Sequence, residues 1–124
     1  MWYTYVIVGI MLIVAGISKA VQDKILYHFY ESRFKTMGTF WNPEKSWENK
    51  WKDGDPEKGE RFPGSSTIFV SLTDAWHLFG MIKNFTLVSA IAVASNNYFF
   101  LLGYLVLVGS FHLFFTYIFT KKSI

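Results

Sequence analysis

Residues 84–120 read NFTLVSAIAVASNNYFFLLGYLVLVGSFHLFFTYIFT and contain no Asp, Glu, Lys or Arg. A second uncharged run, MWYTYVIVGIMLIVAGIS, occupies residues 1–18. The runs are 37 and 18 residues long, and a chain of 124 residues folds into too small a soluble core to bury both. The sequence therefore predicts an all-α integral membrane protein, in which the hydrocarbon of the bilayer surrounds these segments.

Charged residues are scarce and are confined to the rest of the chain. They make up 17% of the sequence, against about 25% in an ordinary soluble domain. All twelve Lys and Arg and all nine Asp and Glu lie within residues 19–83 and 121–122. Acids and bases alternate between 44 and 61, so the chain presents no unopposed cationic surface to a nucleic acid. We expect no nucleic-acid partner, and the lack of cysteine excludes disulfides and thiolate sites.

Three transmembrane helices account for the apolar segments. The first is predicted at about 2–22 and is expected to be retained, because no positive charge precedes it as in a signal peptide. Asn96 and Asn97 divide the long run, and a pair of asparagines favours a tight turn between helices. The second helix is therefore predicted at about 66–95 and the third at about 98–119, each long enough to cross a bilayer.

The distribution of Lys and Arg predicts the orientation of these helices. If the stretch between the first two helices and the C-terminal Lys121 and Lys122 are cytoplasmic, every cation lies on the inside. We therefore expect the N-terminus outside and the C-terminus inside a bacterial inner membrane. Residues 1–124 then form a single membrane domain, with residues 20–65 as a cytoplasmic interfacial segment within it.

The interfacial segment carries two further helix predictions. Residues 20–37 contain no Gly or Pro, so the first helix is expected to continue along the membrane surface until Gly38. A short helix is predicted at about 43–52, which would place Trp47 and Trp51 on one face. Tryptophan is enriched at membrane interfaces, so we interpret these two side chains and Trp41 as an interfacial anchor rather than as a ligand cage.

The most suggestive polar residues are Asp74 and His77, which are three positions apart and share one helix face. An ionisable side chain within an apolar span is costly, and it is by default a hypothesis for a functional site. His112 on the third helix is expected near His77 when residues are counted from the turn. His28 and Glu31, beyond the first helix, are weaker candidates for the same cluster.

Three interpretations of this cluster stay open. In the first, Asp74 caps the helix or pairs with Lys83, Arg61 or His77, and the histidines hydrogen-bond neighbours and hold helices together. In the second, Asp74, His77 and His112 bind zinc or another divalent metal ion, with His28 and Glu31 as further candidates. In the third, His77 and His112 are the axial ligands of a haem. The possible cofactors are therefore a divalent metal ion and a haem.

Small residues at helical spacing predict contacts between helices. One stripe lies on the second helix, and similar faces occur on the other two, where small side chains allow close approach. The candidate helix-packing residues are Gly9, Gly16, Thr86, Ala90, Ala94 and Gly103.

Two main functions follow from these patterns. The leading one is a small membrane protein that acts by association of its helices, as a homo-oligomer or as an accessory subunit of a larger membrane complex. Its expected partners are the lipid bilayer and either itself or another membrane protein. The alternative is a membrane-embedded enzyme or redox subunit that uses Asp74, His77 and His112. A membrane-permeabilising effector is a third class.

Overall fold

The computed structural model describes residues 1–119, and the regular structure in this range is helical, without a β-strand. Helix α1 is Trp2–His28, α2 is Ala75–Ser95, and α3 is Phe100–Leu113. A π-helical turn, Phe114–Ile118, extends α3. Each of the three is long and apolar enough to cross a membrane, which confirms the predicted set of three apolar helices.

Helices α1 and α2 form the main contact of the bundle. The buried residues of α1 are three or four positions apart and lie on one face: Ala15, Ser18, Gln22 and Ile25. The Gln22 side-chain amide donates to the Trp76 carbonyl at 3.0 Å. A Cβ at Gly80 would lie 2.7 Å from that amide nitrogen, so a larger residue here would force the Gln22 side chain to move.

The predicted asparagine turn between α2 and α3 is confirmed. Asn96 adopts the left-handed conformation, with φ 51° and ψ 38°. Its N–H donates to Val93 O at 3.2 Å, and the Asn97 N–H donates to Ala92 O at 3.0 Å. These two hydrogen bonds form a Schellman motif, which satisfies the last carbonyls of α2. Helix α3 then returns beside α2, and none of its residues in Phe100–Leu113 is buried.

The predicted start of the second helix at 66 is wrong, because α2 begins at Ala75. The preceding residues form turns, including the 3₁₀ turn Val70–Leu72. Asp74 has an extended backbone, with φ −152° and ψ 155°, and its side chain caps α2. A carboxylate that accepts the first free N–H groups of a helix fixes the position where that helix begins.

The first helix runs beyond the predicted 22 to His28, but the predicted continuation to 37 is wrong. Ser32 interrupts it with an extended backbone. The Ser32 hydroxyl donates to Phe29 O at 2.6 Å and accepts the Phe34 N–H at 3.2 Å. Serine side chains compete in this way with the hydrogen bonds of a helix.

The predicted helix over 43–52 is also wrong. Ser46–Lys50 forms a 3₁₀ helix there, Trp51 is extended, and Lys52 begins a separate 3₁₀ turn. The chain then doubles back, so that Lys52 N–H donates to Gly59 O at 3.1 Å and Arg61 N–H to Lys50 O at 2.9 Å. These longer-range bonds replace the helical ones.

Residues 29–74, the central segment, fold over the start of α2. Trp41 stacks on Phe34 with ring centroids 4.9 Å apart and contacts Phe79 of α2 at 5.7 Å. The Asn49 amide donates to Thr73 O at 3.0 Å, next to the capping residue. The other short 3₁₀ elements of this segment are Phe29–Glu31, Arg33–Thr36, Thr39–Trp41, Lys52–Gly54 and Pro56–Lys58.

Candidate functional site

Asp74 and His77 form a hydrogen-bonded pair at the N-terminus of α2. Asp74 Oδ1 accepts the backbone N–H of His77 at 2.8 Å. The Nδ1 atom of the His77 ring lies 2.7 Å from Asp74 Oδ2 and 2.9 Å from Oδ1. Asp74 is 4% exposed, whereas the His77 side chain is 33% exposed. The Nδ1 atom is thus within hydrogen-bond distance of both carboxylate oxygens, and Nε2, on the opposite side of the ring, is directed away from the pair.

The local sequence explains why this pair forms. Asp74 stands at the N-cap, and the third residue after it is His77, whose N–H points back at the cap. The Thr73 hydroxyl lies 3.5 Å from Asp74 Oδ2 but donates at 2.7 Å to Val70 O. The Trp76 ring packs edge-on against the His77 ring, with centroids 5.1 Å apart. The arrangement thus holds one imidazole in a fixed orientation.

A cavity of about 320 Å³ lies between the three helices, in the half of the bundle next to the central segment. Its apolar walls come from all three helices and from the residues before α2: Leu26, Ile68, Val70, Trp76, Met81, Leu107, Val108 and Phe111. Its polar lining comprises Gln22, Asp23, Ser71, His77, Lys83, Asn84, Tyr104 and His112. The combination of apolar walls with a few convergent polar groups is typical of a binding cavity.

Several of the polar groups that line this cavity have no hydrogen-bond or ion-pair partner within residues 1–119. They are the side chains of Ser71, Lys83, Asn84, Tyr104 and His112, together with Nε2 of His77. Ser71 is only 8% exposed, although its hydroxyl has no protein partner. Among the described residues no fully buried side-chain nitrogen or oxygen lacks a partner, so these groups reach the open space of the cavity, where a polar ligand or water can bind them.

The structure brings together some of the residues singled out from the sequence. His77 and His112 line the same cavity, and Asp74 contacts His77. Met81, which shares the helix face of His77, is also in the cavity wall. In the described range, no three His, Asp or Glu side chains are arranged to hold one metal ion. Both carboxylate oxygens of Asp74 are engaged by His77.

His28 and Glu31 lie elsewhere. The Nδ1 atom of His28 is 3.5 Å from a carboxylate oxygen of Glu31, and both side chains are more than half exposed. Neither residue lines the cavity. Their pairing follows from the three-residue spacing at the end of α1 and is independent of Asp74.

The candidate helix-packing residues fall into two groups. Ala90 is buried and Thr86 is half-buried, with its hydroxyl bonded to Ile82 O at 2.8 Å, while Ala94 is exposed. Gly9, Gly16 and Gly103 face open space, since an added Cβ would meet nothing within 4 Å. Part of the small-residue surface is thus used inside the chain, and part of it is left uncovered.

Sequence reasoning did not identify Gln22, Lys83 or Gly80 as parts of this site. Lys83 was considered as a possible ion-pair partner of Asp74. Gln22 and Gly80 meet through a contact between two helices that are far apart in sequence. A lone glutamine near the end of an apolar helix and a glycine inside another are the only local signals for that contact.

Comparison with known proteins adds no relative to this description: no family model, curated protein or solved structure matches the chain.

Proposed function

We propose that the chain is a small integral membrane protein that acts by association of its helices, as a homo-oligomer or as an accessory subunit of a larger membrane complex. The observation that carries this proposal is the exposure of α3, which buries none of its residues in the described molecule. Gly103 of this helix has no neighbour within 4 Å of an added Cβ, and neither do Gly9 and Gly16 of α1. Small residues on uncovered helix faces allow another helix to approach closely.

The same proposal includes insertion into a bacterial inner membrane with the N-terminus outside. In its support, the end of α1 meets the start of α2, and α3 returns antiparallel to α2. The central segment and the C-terminal end of α3 therefore lie at one end of the bundle. Every Lys and Arg up to position 83 lies at that end or within the adjacent half of a helix. The cations Lys121 and Lys122, which the prediction also places inside, lie outside the described residues.

The association is tested by the mass of the protein purified in a mild detergent. We expect a multimer, or a stable complex with another membrane protein, and we expect Gly103→Leu to reduce the assembled fraction. Leu105→Ala is the matched control, because Leu105 lies on the same helix and is 65% exposed. A wild-type chain that remains a single copy with no protein partner at every concentration would contradict the proposal.

A second candidate function is a membrane-embedded enzyme or redox subunit. One specific observation favours it: the oriented imidazole of His77 and that of His112 face the same cavity. Metal analysis and a visible absorption spectrum of the purified protein distinguish the candidates. A stoichiometric divalent metal or a haem band that is lost in His77→Ala supports this second function, whereas a colourless and metal-free protein counts against it.

A further inference from the structure

The cavity between the three helices contains one cation that no acid in the described chain neutralises. Lys83 lines the cavity, is half-buried and makes no ion pair among residues 1–119. The one carboxylate in the lining, that of Asp23, already accepts from Lys19 Nζ at 2.8 Å. The nearby Asp74 is bonded to His77. Lys83 is thus a half-buried ammonium in the cavity wall that has no ion-pair partner among residues 1–119.

Neutral donors accompany this cation. The hydroxyls of Ser71 and Tyr104 and the amide of Asn84 line the cavity without a partner in the described range. A single ammonium with several O–H and N–H donors around it is suited to an oxyanion that has several acceptor oxygens, such as a phosphate. The apolar residues Leu26, Leu107 and Phe111 continue the wall of the same cavity. A bound molecule with a hydrocarbon chain could pack that chain against these apolar residues.

The position of Lys83 fits a headgroup at the membrane interface. Lys83 lies about 12 Å along α2 from Ala75, by the rise of an α-helix. Side chains in a helix lean towards its N-terminus, which for α2 is the end next to the central segment. The flexible lysine stem therefore carries the ammonium back towards the interface, where lipid phosphates lie.

We propose that this cavity binds an anionic phospholipid of the leaflet next to the central segment, with the lipid phosphate on Lys83 and an acyl chain along the apolar wall. Basic pockets between transmembrane helices on the cytoplasmic side recognise such headgroups. The inference rests on the proposed insertion into a bilayer, and it is independent of whether the chain associates with other chains.

Native mass spectrometry of the detergent-purified full chain tests the assignment. The probes are phosphatidylglycerol and phosphatidylcholine with identical acyl chains, and inorganic phosphate as the free-anion competitor. We expect phosphatidylglycerol to be retained about tenfold more than phosphatidylcholine and to resist millimolar phosphate. Lys83→Met should lower its retention about tenfold, and Lys83→Arg should restore it.

Lys24→Met is the matched control, because Lys24 is an exposed cation of α1 outside the cavity. It should leave phosphatidylglycerol binding unchanged. Tyr104→Phe, which removes only a hydroxyl, should cause a smaller loss and is compatible with an intact fold. Equal retention by wild type and Lys83→Met, or of the two lipids by the wild type, would overturn the proposal. Displacement of the lipid by inorganic phosphate would instead indicate a site for a free anion and would also overturn it.

An alkaline carbonate wash of membranes separates this failure from failure of the proposed function. A wild-type chain that the wash releases contradicts membrane insertion, and the lipid assignment falls with it. A chain that resists the wash but shows no preference for phosphatidylglycerol contradicts the lipid assignment alone.

Discussion

At the scale of single residues, Gly80 and Gln22 meet where α1 packs against α2. The Gln22 amide occupies the space that a side chain at position 80 would need, and it donates to the Trp76 carbonyl at 3.0 Å. A buried amide that loses its partner costs about 1–3 kcal/mol. This single contact therefore links the end of the first helix to the start of the second.

Gly80→Ala should leave the protein in detergent about 1–2 kcal/mol less stable than Gly109→Ala, since both changes gain the same helix propensity. The added Cβ would force the Gln22 amide away from the Trp76 carbonyl. Thermal unfolding followed by circular dichroism provides the measurement. Gly109→Ala is the control, because a Cβ at position 109 meets nothing and alanine favours the helix. A Gly80→Ala variant as stable as Gly109→Ala would show that the Gln22 amide can move without a loss of stability.

Asp74 is the second residue with a defined role, since it caps α2 and orients His77. Asp74→Ala should lower stability by about 1–2 kcal/mol, because the cap and the bond to the ring are both lost. Asp74→Asn keeps an acceptor oxygen for the His77 N–H and should cost less. The same unfolding measurement applies, with Glu57→Ala as an exposed acidic control. Unfolding of Asp74→Ala at the wild-type temperature would be inconsistent with this capping role.

The site was partly predictable at this scale. The three-residue spacing of Asp74 and His77 identifies a pair that the structure contains, and counting from the asparagine turn places His112 beside the cavity of His77. The environment of Lys83 and the contact between Gln22 and Gly80 were not predictable. They depend on how far each helix is rotated about its own axis, and no local pattern encodes that rotation.

At the scale of elements, the Glu60 side chain holds part of the central segment together through hydrogen bonds. The Ser66 hydroxyl and the Gly64 N–H both donate to the Glu60 carboxylate. They hold the pKa of that carboxyl below its ordinary value of 4.5. Because the pKa is lower in the folded than in the unfolded state, the stabilisation is complete above pH 4.5 and is lost as the pH falls through the folded value.

Protonation of Glu60 should therefore contribute to the loss of structure of the central segment in acid. The wild type should lose this structure more readily than a protein in which residue 60 does not titrate. Near-UV circular dichroism between about pH 7 and pH 3 measures this loss. Glu60→Gln should be less stable at neutral pH and should show a weaker dependence on acid, because its amide does not titrate. Glu57→Gln should follow the wild type, and identical acid profiles for all three proteins would contradict the role of Glu60.

The existence of the three long helices could be predicted from the charge-free runs, whereas several of their ends could not. The turn at Asn96 and Asn97 could be predicted, because asparagine tolerates the left-handed conformation. The break at Ser32 and the late start after Asp74 depend on side-chain hydrogen bonds that a hydropathy pattern does not contain. The turns of residues 46–61 depend on contacts across the segment, which explains why a local helix prediction was wrong there.

At the scale of the whole molecule, one polar segment folds over one end of three apolar helices. The uncovered faces of α1 and α3 support association, and the cavity between the helices supports a bound lipid. Both proposals require that the helices cross a bilayer and that residues 20–65 share a compartment with the end of α3. The central claim is therefore the topology.

Labelling of single cysteines tests this topology most directly, because the natural chain contains no cysteine. Asn97→Cys reports on the turn between α2 and α3, and Lys58→Cys reports on the central segment; both positions are exposed. In spheroplasts, whose inner membrane is intact, a membrane-impermeant maleimide should label Asn97→Cys at once. It should label Lys58→Cys only after the inner membrane is permeabilised. Labelling of both cysteines from the same side, or of Lys58→Cys alone in intact cells, would contradict the account.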